Sequence, residues 1–449
     1  MALVWMLTRV AALALIFGPE RDVLGDVGYF SASLRHLGEV GLVRTMPEYP
    51  LPAVAVVALP WRLSLVLHAP WSYGFLFVVV LLAVDAAFTA LLQRQALPQR
   101  RTAVAAWLVA LPALGGLSYV RFDLIPGVLV GMVVLVAAGR SRLAALLLAL
   151  AACIKLWPVL LVPPLLARSS RRTGSLLVLV GAGAATVLVT LVAAGASRVW
   201  SPLAYQADRG LQVESVAATP VMLARHLDPA SYQVRFSPSK SYEITGPGVP
   251  ALLGLSTILT VGLLVFLAVL WTRLARTGRA GSIDALVWAS LAATAGFLCT
   301  SKVLSPQYLL WLLPTAIAGL AVVGPTRRAL ARWTGALIMV ALLSHGLYPW
   351  LYAALVHVGR EGGSRSTRGA GGSKPPPGCV ALVRLPYGAS RLGTPLTAPA
   401  PSGVGRGNHP DATRPRPPGG GRGLVEDRRG SAQCLRSSSP SMPCRPSNW

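Results

Sequence analysis

Long apolar blocks, separated by short clusters of arginine, dictate almost everything this chain can fold into. A helix needs about 20 apolar residues to cross a bilayer, and the sequence supplies them repeatedly: Ala2–Phe17, Tyr73–Leu92, Ala103–Tyr119, Leu124–Ala138, Ser175–Gly195, Pro250–Trp271, Ile283–Thr300, Leu304–Val323 and Trp333–Val356. Of the 449 residues, 54% are hydrophobic and only 13% charged, where a soluble domain carries about 25% charged residues. The pattern predicts an all-α polytopic, multi-pass protein of the cell membrane. The formal charge of +25 therefore does not point to nucleic acid. The first block lacks a small-x-small cleavage site and contains Arg9, so it reads as an uncleaved helix. Arg9 is costly there, and the sequence names no partner for it.

The basic clusters orient the chain. They are Arg94–Arg101, Gly139–Arg142, Arg168–Arg172, Thr272–Arg279 and Pro325–Arg332, and the positive-inside rule places all five in the cytoplasm. Two apolar blocks then fail the parity test. Leu51–Leu67 cannot span, because Tyr73–Leu92 must run from outside to inside, and with Pro52, Pro60, Trp61 and Arg62 it suits a helix lying in the interface. Leu143–Ala167 has cytoplasmic clusters at both ends, so it must enter and return. This makes a broken re-entrant hairpin with Lys155 at its apex and Trp157-Pro158 marking the break. Backbone of that kind is tolerated only where protein or a wet cavity surrounds it. A buried ammonium is by default a functional group; the bland alternative is that Lys155 snorkels or pairs with a buried acid such as Asp85.

This topology gathers carboxylates and isolated cations outside. The first outer loop, Gly18–Pro50, holds five of the sixteen acids: Glu20, Asp22, Asp26, Glu39 and Glu48. An acid there can serve as general base on a hydroxyl while arginine and lysine hold a departing phosphate. No His/Cys/Asp/Glu spacing suggests a metal site, and that scheme calls for no cofactor. From Gly359 the chain changes to Arg, Pro, Gly and Ser, with fourteen basic against four acidic residues. We expect two regions, a transmembrane domain over 1–358 and a disordered basic tail over 359–449. The tail reads as an out-of-frame extension of GC-rich coding sequence; the alternative is a genuine tail that binds anionic lipid or wall polymer.

Six stretches in order, "GDVGYF", "EYPLPAV", "RFDLIPGVLVG", "AACIKLWPVLLVP", "YQADRGLQVESVAATP" and "SPQYLLWLLP", resemble glycosyltransferase family 87. These are polyprenyl-phosphate-mannose-dependent α-mannosyltransferases of the GT-C superfamily, and the resemblance runs from Met1 to about Tyr352. It implies transfer of a hexose, mannose first, from a polyprenyl-phosphate sugar to a glycolipid or lipoglycan acceptor at the outer face, with inversion. The rivals are transfer of arabinofuranose or another lipid-linked sugar, and a transporter or flippase for such lipids; the sequence shows no internal repeat of the transporter kind. Asp26 matches the family's loop acid and is the expected base, with Asp22, beside Arg21, as its rival. Lys155 matches the lysine of the "IKLWP" motif and would hold donor phosphate. Arg121 and Asp123 in "RFD" would form an ion pair that shapes the site, or an ordinary helix-end pair. Arg209, Gln212 and Glu214 fall on a loop and carry a substrate-binding role by resemblance only. Lys302, Gln307 and Tyr308 stand at an outer helix end, where Lys302 is as readily a snorkelling anchor as a ligand.

Overall fold

A computed structural model describes residues 1–95, 99–277 and 281–357. The chain divides into two units, Met1–Ala370 and Gly371–Trp449; every described residue lies in the first, and the tail expected over 359–449 lies outside the described residues.

The path runs back and forth between two ends. Helix α1 (Ala2–Phe17) is followed, after a bend of 86°, by a short turn and α2 (Gly25–Arg35). Then come α3 (Leu37–Arg44), α4 (Leu51–Val66) and the long α5 (Tyr73–Arg94). Helix α4 buries Ala53, Val54, Val57, Pro60 and Ser64 along one side and exposes Leu59, Leu63, Leu65 and Val66, as an interfacial helix should. The block Ala103–Tyr119 is not one straight span. It is α6 (Arg100–Ala110) and a 3₁₀ segment, Pro112–Tyr119, bent by 68°, because Pro112 lacks a donor and Gly115 adopts φ +61. Helix α7 (Leu124–Val136) is next.

The hairpin follows. Helix α8 (Ser141–Ile154) ends at Lys155, whose backbone is extended; a 3₁₀ turn (Trp157–Leu161) leads into α9 (Val162–Arg168). Its two ends meet, with the Ser141 and Ser170 hydroxyls 3.3 Å apart. The break falls at Lys155 itself, two residues before Trp157-Pro158. Helix α10 (Arg172–Ala194) then crosses the full width. At the far end lie α11 (Ala196–Ala207), a small sheet and α12 (Thr219–Leu227). The sheet has antiparallel strands β1 (Leu211–Gln212), β2 (Gln233–Phe236) and β3 (Tyr242–Thr245), in the order β1-β3-β2. The chain returns through α13 (Val249–Arg276) and crosses again in α14 (Ile283–Thr300). A 3₁₀ turn (Pro306–Trp311), α15 (Leu313–Val322), α16 (Arg327–His345), a π-helical turn and α17 (Tyr352–His357) complete it.

Among the described residues, five helices are long and apolar enough to cross a membrane alone, or seven counting each bent pair as one. The remaining blocks, Leu124–Ala138 and Leu304–Val323, form shorter helices than expected. The reason is burial. Helices α7 and α15 are enclosed almost all round by other helices, so protein rather than lipid satisfies what their ends expose. The long α10 and α13 lie at the periphery, with few buried residues.

The basic loops meet at one end of the bundle. The Arg168 guanidinium donates to the Gly281 carbonyl at 2.5 Å, and Gln99 lines one cleft with Arg327 and Arg328. Two pairs of the basic loops thus lie side by side, as loops placed on one side of a membrane would.

Arg9 finds its partner in the core. Its Nε and Nη2 donate to Asp85 at 2.8 and 3.1 Å. Trp107 Nε1 and the Tyr119 hydroxyl also donate to that carboxylate, at 2.7 and 2.8 Å. Both charges are sealed from solvent, and a buried charge is tolerated only when paired and hydrogen-bonded in this way. Asp85 is thus committed to Arg9 and is not the partner of Lys155.

Candidate active site

Four charges line up at the end opposite the basic loops. Asp26 sits in the first turn of α2. Its Oδ2 lies 3.1 Å from Arg121 Nε, and Arg121 Nη1 donates to the Val23 carbonyl at 3.0 Å. Two residues on, Asp123 accepts from Lys155 Nζ at 2.5 Å and from Trp311 Nε1 at 2.6 Å. The expected Arg121–Asp123 ion pair is therefore not what forms: each residue of "RFD" takes a partner from a different segment. Residues 121 and 123 lie in the short irregular link between the 3₁₀ segment and α7, which lets neighbouring side chains take partners on different sides.

Lys155 is neither snorkelling nor lipid-facing. Its ammonium lies within a box of rings, 5.2 Å from the centroids of Phe122 and Tyr308 and 5.1 Å from Trp311. Trp311 stacks on Trp157 at 5.0 Å and on Tyr308 at 4.2 Å. Such faces attract a cation by about 0.5–2 kcal/mol each. Gly127 makes the box possible. A Cβ there would come within 2.0 Å of the Leu310 carbonyl oxygen, so only glycine lets the 306–311 turn lie against α7 and bring Trp311 to Asp123.

Tyr49 closes the cluster. Burial, and then the charges of Asp26, Glu48 and Asp123, push its hydroxyl well above the ordinary tyrosine range, so it remains a neutral donor. Asp22 is exposed and joins none of the ion pairs among the described residues. Its neighbour Arg21 donates to the Phe17 carbonyl at 3.0 Å rather than to Asp22.

Of the other expected residues, Arg209, Gln212 and Lys302 form a second cluster. Gln212 belongs to strand β1 rather than to a loop, and its N–H donates to the Lys302 carbonyl at 3.1 Å. Lys302 Nζ donates to the Ala207 carbonyl at 2.8 Å, and burial lowers its pKa. Arg209 donates to Ser241 Oγ at 2.8 Å and to Gln212 Oε1 at 3.4 Å. Gln307 accepts from Ser305 Oγ at 2.5 Å. Glu214 turns away and accepts from the Tyr352 hydroxyl at 2.6 Å. Burial raises its pKa, and its second oxygen has no hydrogen-bond partner. Glu214 also lines a mainly apolar cavity of about 500 Å³ between α12, α14, the 306–311 turn and α16, with Leu223, Ser305, Leu309, Val340 and Leu347.

Residues that the sequence did not single out complete the framework. Glu20, fully buried, pairs with His345 Nε2 and accepts from Gly116 N–H at 3.1 Å and Trp350 Nε1 at 3.2 Å. Arg198 is buried against the carbonyls of Leu42, Thr45, Met46 and Pro47, fixing the turn that leads to Glu48 and Tyr49. A lone arginine in an outer amphipathic stretch was the only signal for it.

No curated protein and no solved structure matches the chain. Its sequence does match Glycosyltransferase family 87 over residues 48–301, a segment that includes Arg121, Asp123, Lys155, Arg209, Gln212 and Glu214, while Asp26 lies before it and is tied to it by the contact with Arg121. With more than half of the chain matched, this multi-pass membrane protein belongs to glycosyltransferase family 87.

Proposed function

We propose that this glycosyltransferase moves a hexose, mannose in the first instance, from a polyprenyl phosphate to a glycolipid or lipoglycan acceptor at the outer face. The observation that carries the reading is the line Asp26–Arg121–Asp123–Lys155, a partly exposed carboxylate beside two cations at the end opposite the basic loops. Asp26 takes the proton of an acceptor hydroxyl. The oxygen attacks C1 of the sugar from the face opposite the phosphate, and the C1–O bond breaks. Its electron pair leaves with the polyprenyl phosphate, whose growing charge Arg121 and Lys155 offset. Attack from the opposite face inverts the anomeric centre.

The incoming phosphate competes with Asp123 for Lys155, and Asp123 keeps its bond from Trp311 in the exchange. The apolar cavity suits the donor's lipid chain. Leu309 and Ser305 line it, while Tyr308 and Trp311 of the same turn cap Lys155, so a chain lying there ends near the ammonium.

The test is Asp26→Asn in the full chain, at matched membrane levels, with labelled polyprenyl-phosphate mannose. Transfer should fall by about 10²–10⁴-fold while donor affinity holds, since an interaction made mainly in the transition state lowers turnover. Asp22→Asn should stay within about tenfold. Full activity in Asp26→Asn would remove the base. Translocation of the intact donor without release of polyprenyl phosphate would replace the reading with transport. Offering arabinofuranosyl donor in parallel decides the sugar.

A further inference from the structure

Helix α2 carries a second functional side chain one turn from Asp26. Residues three apart are neighbours on one helix face, which places Tyr29 next to Asp26. Its hydroxyl donates to Glu48 Oε1 at 2.6 Å, so the ring is held in one orientation. Burial and the Glu48 charge raise its pKa far above the ordinary value, and the ring stays neutral. Over its face, 4.5 Å from the centroid, stands the Lys240 ammonium.

Lys240 is the tip of the β2–β3 hairpin. The turn is closed by Lys240 N–H to the Ser237 carbonyl at 2.9 Å and Ser237 N–H to the Ser241 carbonyl at 2.8 Å. Lys240 adopts φ +63, a conformation that a side chain bearing a Cβ adopts at a cost. Behind the tip is a set of polar groups: Ser239 Oγ donates to Glu243 Oε1 at 2.5 Å, and Arg209 donates to Ser241 Oγ. In the reading above Asp26 takes the acceptor proton and Arg121 meets the phosphate; Tyr29 and the hairpin have no role in those two steps.

We infer that the Tyr29 face is the platform for the sugar ring that bears the acceptor hydroxyl, and that the Lys240 hairpin is its displaceable cover. The inference rests on the transferase reading above. One face of a pyranose is a patch of C–H groups, which suits the negative face of an aromatic ring. The hydroxyls around its edge need donors and acceptors, and Glu48, Arg209 and Glu243 supply both. Tyr29 and Asp26 leave α2 within one helical turn, about 5 Å along the axis, and on one face of it, so a ring stacked on Tyr29 lies on the side of the helix that carries the base. A cation held over an aromatic face by about 0.5–1 kcal/mol is readily exchanged for a sugar. Tyr29 is a substrate-contacting residue in this scheme, and Lys240 a positioning residue.

The experiment measures initial rates in membranes of the full chain, with polyprenyl-phosphate mannose as donor and octyl mannoside as acceptor probe. Tyr29→Leu should raise the acceptor KM about tenfold or more and leave the donor KM within about twofold. Tyr29→Phe keeps the face and loses only the bond to Glu48, so its acceptor KM should stay within about threefold. Lys240→Gly suits φ +63 and removes the cover; its acceptor KM should fall about two- to fivefold. An unchanged acceptor KM in Tyr29→Leu, or equal rises in both KM values, overturns the inference. So does wild type that releases polyprenyl phosphate yet never saturates with octyl mannoside. Wild type that consumes no donor overturns the transferase reading, and this inference with it.

Discussion

Replacing Lys155 by Met separates two roles of one side chain. Methionine keeps most of the volume and removes the charge. In the structure the ammonium is the counter-ion of Asp123, whose side chain is 3% exposed against 17% for Lys155. Removing it strands a buried carboxylate whose remaining partner there is Trp311 Nε1. Breaking a buried pair by deleting one partner costs about 3–5 kcal/mol. The lysine is partly exposed, and water can reach the vacated side, so the lower end, about 3 kcal/mol, is expected. The same substitution removes a cation from the donor phosphate, and a hydrogen bond to a charged group contributes about 1.5–3 kcal/mol, or roughly 10- to 100-fold in donor affinity.

The double variant Lys155→Met/Asp123→Asn tells the two apart. Asparagine still accepts from Trp311 and carries no charge, so most of the lost stability should return, to within about 1 kcal/mol of wild type. Donor affinity should not return. The assay is reversible unfolding in mixed detergent–SDS micelles followed by tryptophan fluorescence, paired with labelled-donor binding on the same preparations. A single variant as stable as wild type would show that the 2.5 Å contact contributes nothing. Recovery of donor binding in the double variant would show that Lys155 acts only by neutralising Asp123.

Three further outcomes follow from other parts of the molecule. Cysteines at Ser141 and Ser170, 3.3 Å apart through their hydroxyls, should label from the same side of the membrane and cross-link to each other; labelling from opposite sides would abolish the hairpin. Glu214 has its pKa raised by burial, so the folded state holds a proton that the unfolded chain has released. Its contribution to stability is therefore full at low pH and fades as pH rises from the ordinary glutamate range through the raised value; Glu214→Gln should flatten that part of the pH profile, and an unchanged profile would assign the titration elsewhere. Gly127→Ala places a methyl against the Leu310 carbonyl and should lower both stability and donor affinity by pushing the 306–311 turn away, which unfolding and donor-binding measurements check together.

The all-α, multi-pass architecture was legible because long apolar blocks recur between short arginine clusters, a pattern carried by local composition alone. The partners of the buried charges were not, because pairing depends on which helices pack. Arg9 and Asp85 are 76 residues apart, and Lys155 and Asp123 are 32 apart. A signal did exist for the first pair: Arg9 is the one base within its apolar block and Asp85 the one acid within the next long block, and two lone opposite charges in hydrocarbon seek each other. The hairpin that carries Lys240 also had a signal. Val234 and Phe236, then Tyr242 and Ile244, alternate with polar residues around "SPSKS", the mark of a β-hairpin. It is easily passed over inside a chain that is helical elsewhere. The short central helices were misjudged in length because hydropathy does not separate a helix buried in protein from one facing lipid.

Exposure and placement together favour Asp26: the exposed Asp22 joins none of the ion pairs among the described residues, whereas Asp26 meets Arg121. Four carboxylates matter to the first helix and the site. Asp85 and Glu20 have side chains 0% exposed, and Asp123 is 3% exposed. Each already accepts at least two hydrogen bonds: Asp85 from Arg9, Trp107 and Tyr119, Glu20 from Gly116 and Trp350, and Asp123 from Lys155 and Trp311. A base needs a free lone pair and an open approach for a hydroxyl; Asp85 and Glu20 are sealed in, and Asp123, whose two bonds both fall on Oδ1, is 3% exposed, so none of the three offers that approach. Asp26 is 37% exposed, with Arg121 on one side only. The other three make it usable. Asp85 fixes α1 through Arg9, and Glu20 pins the turn between α1 and α2 to the 3₁₀ segment and to α16. Asp123 leaves Arg121, two residues before it, to face Asp26. A carboxylate at the start of a short helix would otherwise sample many positions, and proton transfer demands one. Among the described residues, these three buried carboxylates and their partners thus surround and position the proposed base.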